Sequence, residues 1–170
     1  MWFEKKYVSL HFEKYRMEYK KFKYQEQIDE LIEKGCQLPE LYAPNNMMAC
    51  RFVFSDSSRQ NHIPQYMSNP KRMLQDIEKG KATTSLLSLS CFTTSNNAEA
   101  FYGNLQKAFK NIAASIGDSL SQGKLSNDDG VKTTSTNNGH FDFYEYEKCD
   151  LNKTFQITKS LLNDENNKRI

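Results

Sequence analysis

The run Ser85-Leu86-Leu87-Ser88-Leu89-Ser90-Cys91-Phe92 reads as a buried strand, and a helix-periodic segment begins only a few residues after it. Phe101, Leu105, Ala108, Phe109, Ile112 and Ile116 recur at three- and four-residue spacing and give that helix one apolar face. The polar link between them, Thr93-Thr94-Ser95-Asn96-Asn97, ends with Asn96 three residues before Glu99, the form of a capping box. A strand and an amphipathic helix joined this closely bury their apolar surfaces by packing in layers. That pairing holds the chain to an α+β arrangement.

The remaining segments fit the same plan. Met47 to Phe54 reads as a strand closed by the Ser55-Asp56-Ser57-Ser58 turn cluster. Residues 71–80 read as a short helix with Met73, Leu74 and Ile77 inward and Gly80 as its stop. Strands are expected near 118–125 and 131–136, from His140 to Glu147, and from Thr154 to Thr158, with Asn137-Asn138-Gly139 as a turn. Residues 1 to 34 contain neither Gly nor Pro and carry aromatic stripes at helical spacing, so they read as helix ending at Gly35. The expected fold is α+β: a small mixed or antiparallel sheet of five or six strands with packed helices and an N-terminal helical arm. Its divisions are an arm over 1–35, the α+β domain over 36–162 and a polar tail over 163–170.

Composition sharpens this. The chain has 170 residues, and an aromatic content of 12% separates it from disordered chains, which are poor in Phe and Tyr. No apolar run approaches the roughly 18 residues that a membrane span needs, and residues 1–6 lack the apolar region of a signal peptide. A cytoplasmic protein, or one secreted without such a peptide, is expected. Cys36, Cys50, Cys91 and Cys149 form no C-x-x-C pair and read as reduced structural residues, with no metal site. The net charge of +2 conceals an asymmetry: residues 1–24 carry +4 and the remainder −2. No P-loop, dinucleotide-binding glycine pattern, H-E-x-x-H or EF-hand loop is present.

The strand from His140 carries the densest chemistry. Side chains alternate along a strand, so Phe141, Phe143, Glu145 and Glu147 share one face while Tyr144 and Tyr146 hold the other. Two carboxylates two residues apart couple, and one becomes harder to ionise. Three elements in order, a strand arginine (Arg51), the hydroxyl triplet Thr93-Thr94-Ser95 followed by Ala98 and Phe101, and Glu145-x-Glu147 followed by Leu151 and Phe155-Gln156-Ile157-Thr158, resemble the Arg–Ser–Glu class of mono-ADP-ribosyltransferases. The triplet departs from that class's Ser-Thr-Ser, and Arg59 and Arg72 compete with Arg51.

The resemblance implies NAD as substrate and transfer of ADP-ribose to a protein or nucleic-acid acceptor, in a toxin- or effector-like protein. It gives Glu147 the task of stabilising the positive charge that develops on the ribose as nicotinamide leaves. Glu145 would position or deprotonate the acceptor. Arg51 would bind the phosphate and ribose region, Thr94 and Ser95 would orient the carboxylate, and residues 126–139 would form the acceptor loop. It requires Arg51, Ser95 and Glu147 to converge in one cleft.

The alternative from another class is a non-enzymatic binding module. Lys14-Tyr15-Arg16 and Lys20-Lys21-Phe22-Lys23-Tyr24 interleave basic and aromatic residues on the N-terminal helix, a composition suited to a protein partner, a second copy of the chain, or less readily a nucleic acid.

Overall fold

The computed structural model describes residues 20–162. Most of the expected helical arm and the whole polar tail therefore lie outside the described residues.

Six strands form one antiparallel sheet: β1 (Met47–Val53), β2 (Leu89–Phe92), β3 (Ser119–Leu125), β4 (Gly130–Lys132), β5 (His140–Glu145) and β6 (Gln156–Ser160). Their order is β4-β5-β2-β1-β3-β6. Among the described residues the α-helices are α1 (Gln25–Glu33), α2 (Gln65–Ser68), α3 (Pro70–Glu78), α4 (Ser95–Ala108), α5 (Ile112–Ile116) and α6 (Leu151–Thr154). The α+β class expected from the sequence is the observed one. No helix among the described residues is long and apolar enough to cross a membrane.

The connection from β3 to β4 reveals the sheet's curvature. These strands stand four places apart in the order, about 19 Å in a flat sheet. Yet the tight turn over residues 126–129, with Asp129 N–H donating to the Ser126 carbonyl, joins them. A turn cannot reach that far, so the sheet curls on itself. Ala49, Leu89, Cys91, Leu125, Phe141 and Phe143 fill the inner face, covered by Cys149, Leu151 and Phe155 from the α6 segment. Gly123 permits that cover, because a Cβ there would come within 2.4 Å of the Phe155 ring and 2.7 Å of the Thr154 carbonyl. On the outer face α4 and α5 bury Cys50, Phe92, Ala98, Tyr102 and Leu120. A third cluster joins α1 (Ile28, Leu31), Tyr66, Met73 and Leu87 to Tyr144.

Several boundaries differ from the sequence reading for identifiable reasons. The strand expected over Ser85–Phe92 is shorter, because Thr84–Leu87 forms a 3-10 turn. Its backbone is satisfied by hydroxyls: Ser85 N–H donates to Thr83 Oγ1 and the Ser88 hydroxyl to the Ser85 carbonyl. Helix α4 starts two residues earlier than the capping-box reading, with Thr94 Oγ1 accepting from Asn97 N–H at 3.1 Å. Glu99 is occupied by Lys159 instead, at 2.6 Å. Residues 21–24 are not helical; Phe22 bridges Tyr146 in antiparallel fashion, and helix begins only at Gln25. The last two strands also shift, β5 ending at Glu145 and β6 beginning at Gln156.

Candidate functional site

The alternation of β5 places Phe141, Phe143 and Glu145 on the inner face, all buried. On β1 the same alternation turns Ala49, Arg51 and Val53 inward. Curling brings the two strands' polar residues toward each other, although β2 separates them in the order. The Arg51 guanidinium donates through Nη1 to the Ser90 carbonyl at 2.9 Å. It also lies close enough to Glu145 to pull the carboxyl's pKa down.

A third member comes from the loop after β1. Asn61 folds that loop back: its side chain accepts from Phe54 N–H at 2.8 Å and donates to the Phe54 carbonyl at 3.0 Å. The next residue, His62, is thereby turned inward at φ 58°, a left-handed conformation that L side chains rarely adopt. Its ring meets the Phe155 ring at 5.5 Å. A fourth member comes from the N-terminal side. Lys23 Nζ donates to Glu145 Oε1 at 2.6 Å, with its side chain 26% exposed against 1% for Glu145.

Burial governs the protonation of this group. It holds the Glu145 carboxyl above the ordinary carboxylate value, although Lys23 and Arg51 pull the other way. For Lys23, burial favours the neutral amine, but the hydrogen bond and charge of Glu145 outweigh it and hold the ammonium above its usual value. Burial, reinforced by Arg51, brings His62 down to about 3, so its imidazole is neutral at pH 7. Burial pushes the Cys149 thiol, beside Glu145, up to about 12 and Cys91, beside Arg51, up to about 11. Both stay protonated at neutral pH, so neither supplies a thiolate nucleophile.

Three atoms of this cluster, Arg51 Nε, His62 Nδ1 and Glu145 Oε2, are buried without a hydrogen-bond partner of ordinary geometry among the described residues, with only the weakly bonding thiols of Cys149 beside Glu145 and Cys91 beside Arg51. Each unsatisfied group costs about 1–3 kcal/mol, and all three belong to one electrostatically coupled group. A donor, an acceptor and a neutral imidazole that can do either are offered together. No group of three or more His, Cys, Asp or Glu suited to a metal ion occurs among the described residues.

The residues expected to converge do not all do so. Glu147 lies beyond the end of β5, its side chain 58% exposed and 3.7 Å from Lys21. Strand alternation is lost where the chain turns after Tyr146, the Cys149 N–H donating to the Tyr146 carbonyl, which is why Glu147 does not continue the inner row. Thr94 is spent capping α4, and Ser95 is that helix's first residue. Both follow Phe92, which pairs with His140, five residues from Glu145. That separation is about 16 Å along the strand. The competing arginines face elsewhere: Arg59 stacks 3.5 Å from the Phe54 ring centroid, and Arg72 donates to Gln65 Oε1 at 2.6 Å.

Of the residues singled out from the sequence, the structure brings Arg51 and Glu145 together. Lys23, His62 and Cys149 were not foreseen as their partners. A lone histidine in a polar loop has no periodicity to show that it turns inward; the adjacent Asn61, a residue that folds loops onto their own backbone, is the one local signal. No family model matches the chain, and no curated protein or solved structure was found to be similar to it.

Proposed function

We propose that this protein binds a hydroxyl-bearing, anionic small molecule at the Arg51–His62–Glu145 cluster, with NAD and ADP-ribose as the members of that class to test first. The observation that carries the reading is the trio of partnerless buried atoms. A hydroxyl both donates and accepts, so one hydroxyl can donate to Glu145 Oε2 while accepting from Arg51 Nε. A vicinal diol, as on a ribose, has a second hydroxyl for His62 Nδ1. Lys23 is the most exposed cation of the group, so a phosphate-bearing ligand meets it first on approach.

A second reading, ADP-ribosyl transfer, is favoured by the placement of Arg51 and Glu145 on one inner face. In it Glu145 takes the task that the resemblance assigned to Glu147. The bond from nicotinamide to ribose breaks, nicotinamide leaves with the electron pair, and the carboxylate stabilises the positive charge left on the ribose. The acceptor's nucleophile then bonds to that carbon and gives up its proton.

The binding-module alternative finds less support in the described part of the basic segment. Lys20 pairs with Asp128, Lys21 with Glu147 and Lys23 with Glu145, while Phe22 stacks on Tyr146 at 5.8 Å. Those cations are engaged by the chain's own carboxylates.

Calorimetric titration of the full chain with NAD and ADP-ribose tests the proposal. Saturable binding is expected, weakened at least tenfold in Arg51→Met and Glu145→Gln and unchanged in Glu147→Gln and Thr94→Ala. Variant folding is checked by thermal melts. Absence of heat or of a melting shift at millimolar ligand overturns the proposal. Nicotinamide release that is lost in Glu145→Gln but retained in Glu147→Gln supports transfer; no release with any protein or nucleic-acid acceptor removes that second reading.

A further inference from the structure

The opposite face of the sheet, where β2 pairs with β5, holds a different arrangement. Strands β2 and β5 pair so that Ser90 stands opposite Asp142 and Phe92 opposite His140. Alternation then sends Ser90, Phe92, His140 and Asp142 to the side away from the Arg51 cluster. Ser90 is exposed, and its Oγ lies 2.6 Å from His140 Nε2. The imidazole is held by the Phe92 ring, which it meets edge-on at 5.4 Å. Asp142 Oδ1 lies 4.0 Å from the same ring nitrogen. The other carboxylate oxygen accepts from the Ser85 hydroxyl at 2.7 Å, and the Asp142 N–H donates to Thr133 Oγ1 at 2.9 Å. A solvent-facing hydroxyl, a braced imidazole and an anchored carboxylate thus stand in sequence.

We propose that Ser90 is a nucleophile, with His140 as its general base, and that this second site takes small activated acyl compounds such as esters. With the ring proton on Nδ1, Nε2 accepts the Ser90 hydroxyl proton. Oγ attacks the ester carbonyl as that proton passes to Nε2. The alkoxide then departs with the electron pair of the broken C–O bond, takes the proton from Nε2 and leaves an acyl group on Ser90. Water completes the cycle: it gives a proton to Nε2 as its oxygen bonds to the acyl carbon, the bond from that carbon to Ser90 Oγ breaks with its electron pair on Oγ, Oγ takes the proton from Nε2, and a carboxylic acid leaves. The Asp142 carboxylate stabilises the imidazolium that exists between these transfers. It faces the protonating nitrogen itself rather than the far one, so it acts through charge and leaves ring orientation to Phe92. The reacting side chains of this site are not those of the proposed ligand cluster, which it meets only where the Ser90 carbonyl accepts from Arg51, and its test does not depend on NAD.

The experiment treats the full chain with p-nitrophenyl acetate and, separately, with a fluorophosphonate, locating adducts by peptide mass spectrometry. The expected result is modification at Ser90 at least tenfold faster than at Ser57, an exposed serine in a loop. His140→Gln, which keeps a hydrogen-bonding side chain but no base, should slow modification at least tenfold. Should that variant fail to fold, Ser90→Ala at its exposed position serves instead, and the p-nitrophenol burst should vanish. Modification of Ser90 no faster than of Ser57, an unchanged rate in folded His140→Gln, or a retained burst in Ser90→Ala overturns the proposal.

Discussion

The two faces of the curled sheet use polar residues in opposite ways. Inside the curl, Arg51, His62 and Glu145 are nearly shut off from water, and each keeps an atom without a partner. Outside, Ser90, His140, Asp142 and Ser85 are linked to one another and Ser90 remains open to solvent. Buried and unsatisfied groups are costly, so they persist where something other than stability calls for them. Satisfied, accessible groups cost little and are free to act on what arrives. The inner face is accordingly where we propose a ligand and the outer face where we propose a nucleophile.

The largest expected effect follows from this difference in burial. Lys23→Ala strips a buried carboxylate of its ion pair and should destabilise the fold by about 3–5 kcal/mol. Lys21→Ala removes the exposed pair with Glu147 and should cost no more than about 1 kcal/mol. Urea denaturation of the two variants decides it; equal losses would break the comparison between buried and open sites.

Acid dependence gives the next effect. His62 titrates at about 3 in the folded chain, against about 6.5 when unfolded. The unfolded state therefore binds the extra proton as pH falls. The stabilisation that His62 brings is fully present above about pH 6.5 and is lost on descent toward pH 3, a change of a few kcal/mol. Glu145 runs the other way: its raised value favours the folded state at low pH and withdraws that contribution as pH rises through the folded pKa. Stability measured from pH 3 to 7 should thus flatten in His62→Gln and steepen in Glu145→Gln. A parallel pair of curves would contradict the assignment.

Two smaller effects sharpen the outer face. Thr94→Ala should cost about 1 kcal/mol in thermal denaturation through loss of the α4 cap, while leaving NAD titration unaltered. Ser90→Ala, at an exposed position, should shift stability by no more than about 0.5 kcal/mol.

The sequence made the layered α+β plan legible because its signals are local. The alternation of Phe141, Phe143 and Glu145 and the helical spacing through Phe101 and Leu105 each report a face without knowledge of neighbours. Arg51 and Glu145 were legible as candidates for the same reason. The partners they acquire were not. Lys23 reaches Glu145 across 122 positions of chain, and His62 is turned inward by a side-chain clamp rather than by periodicity. Glu147 failed to join Glu145 because the chain turns directly after Tyr146, a turn that the alternating run up to Glu147 gave no sign of. Ser90 and His140 meet only through the register of two strands 50 residues apart.

The most direct test of the central claim is a crystal structure of the full chain soaked with ADP-ribose. Ribose hydroxyls are expected within hydrogen-bond distance, about 2.7–3.2 Å, of Arg51 Nε and Glu145 Oε2, with His62 Nδ1 engaged as well. A single ordered water satisfying all three atoms, with no ligand bound at saturating concentration, would contradict it.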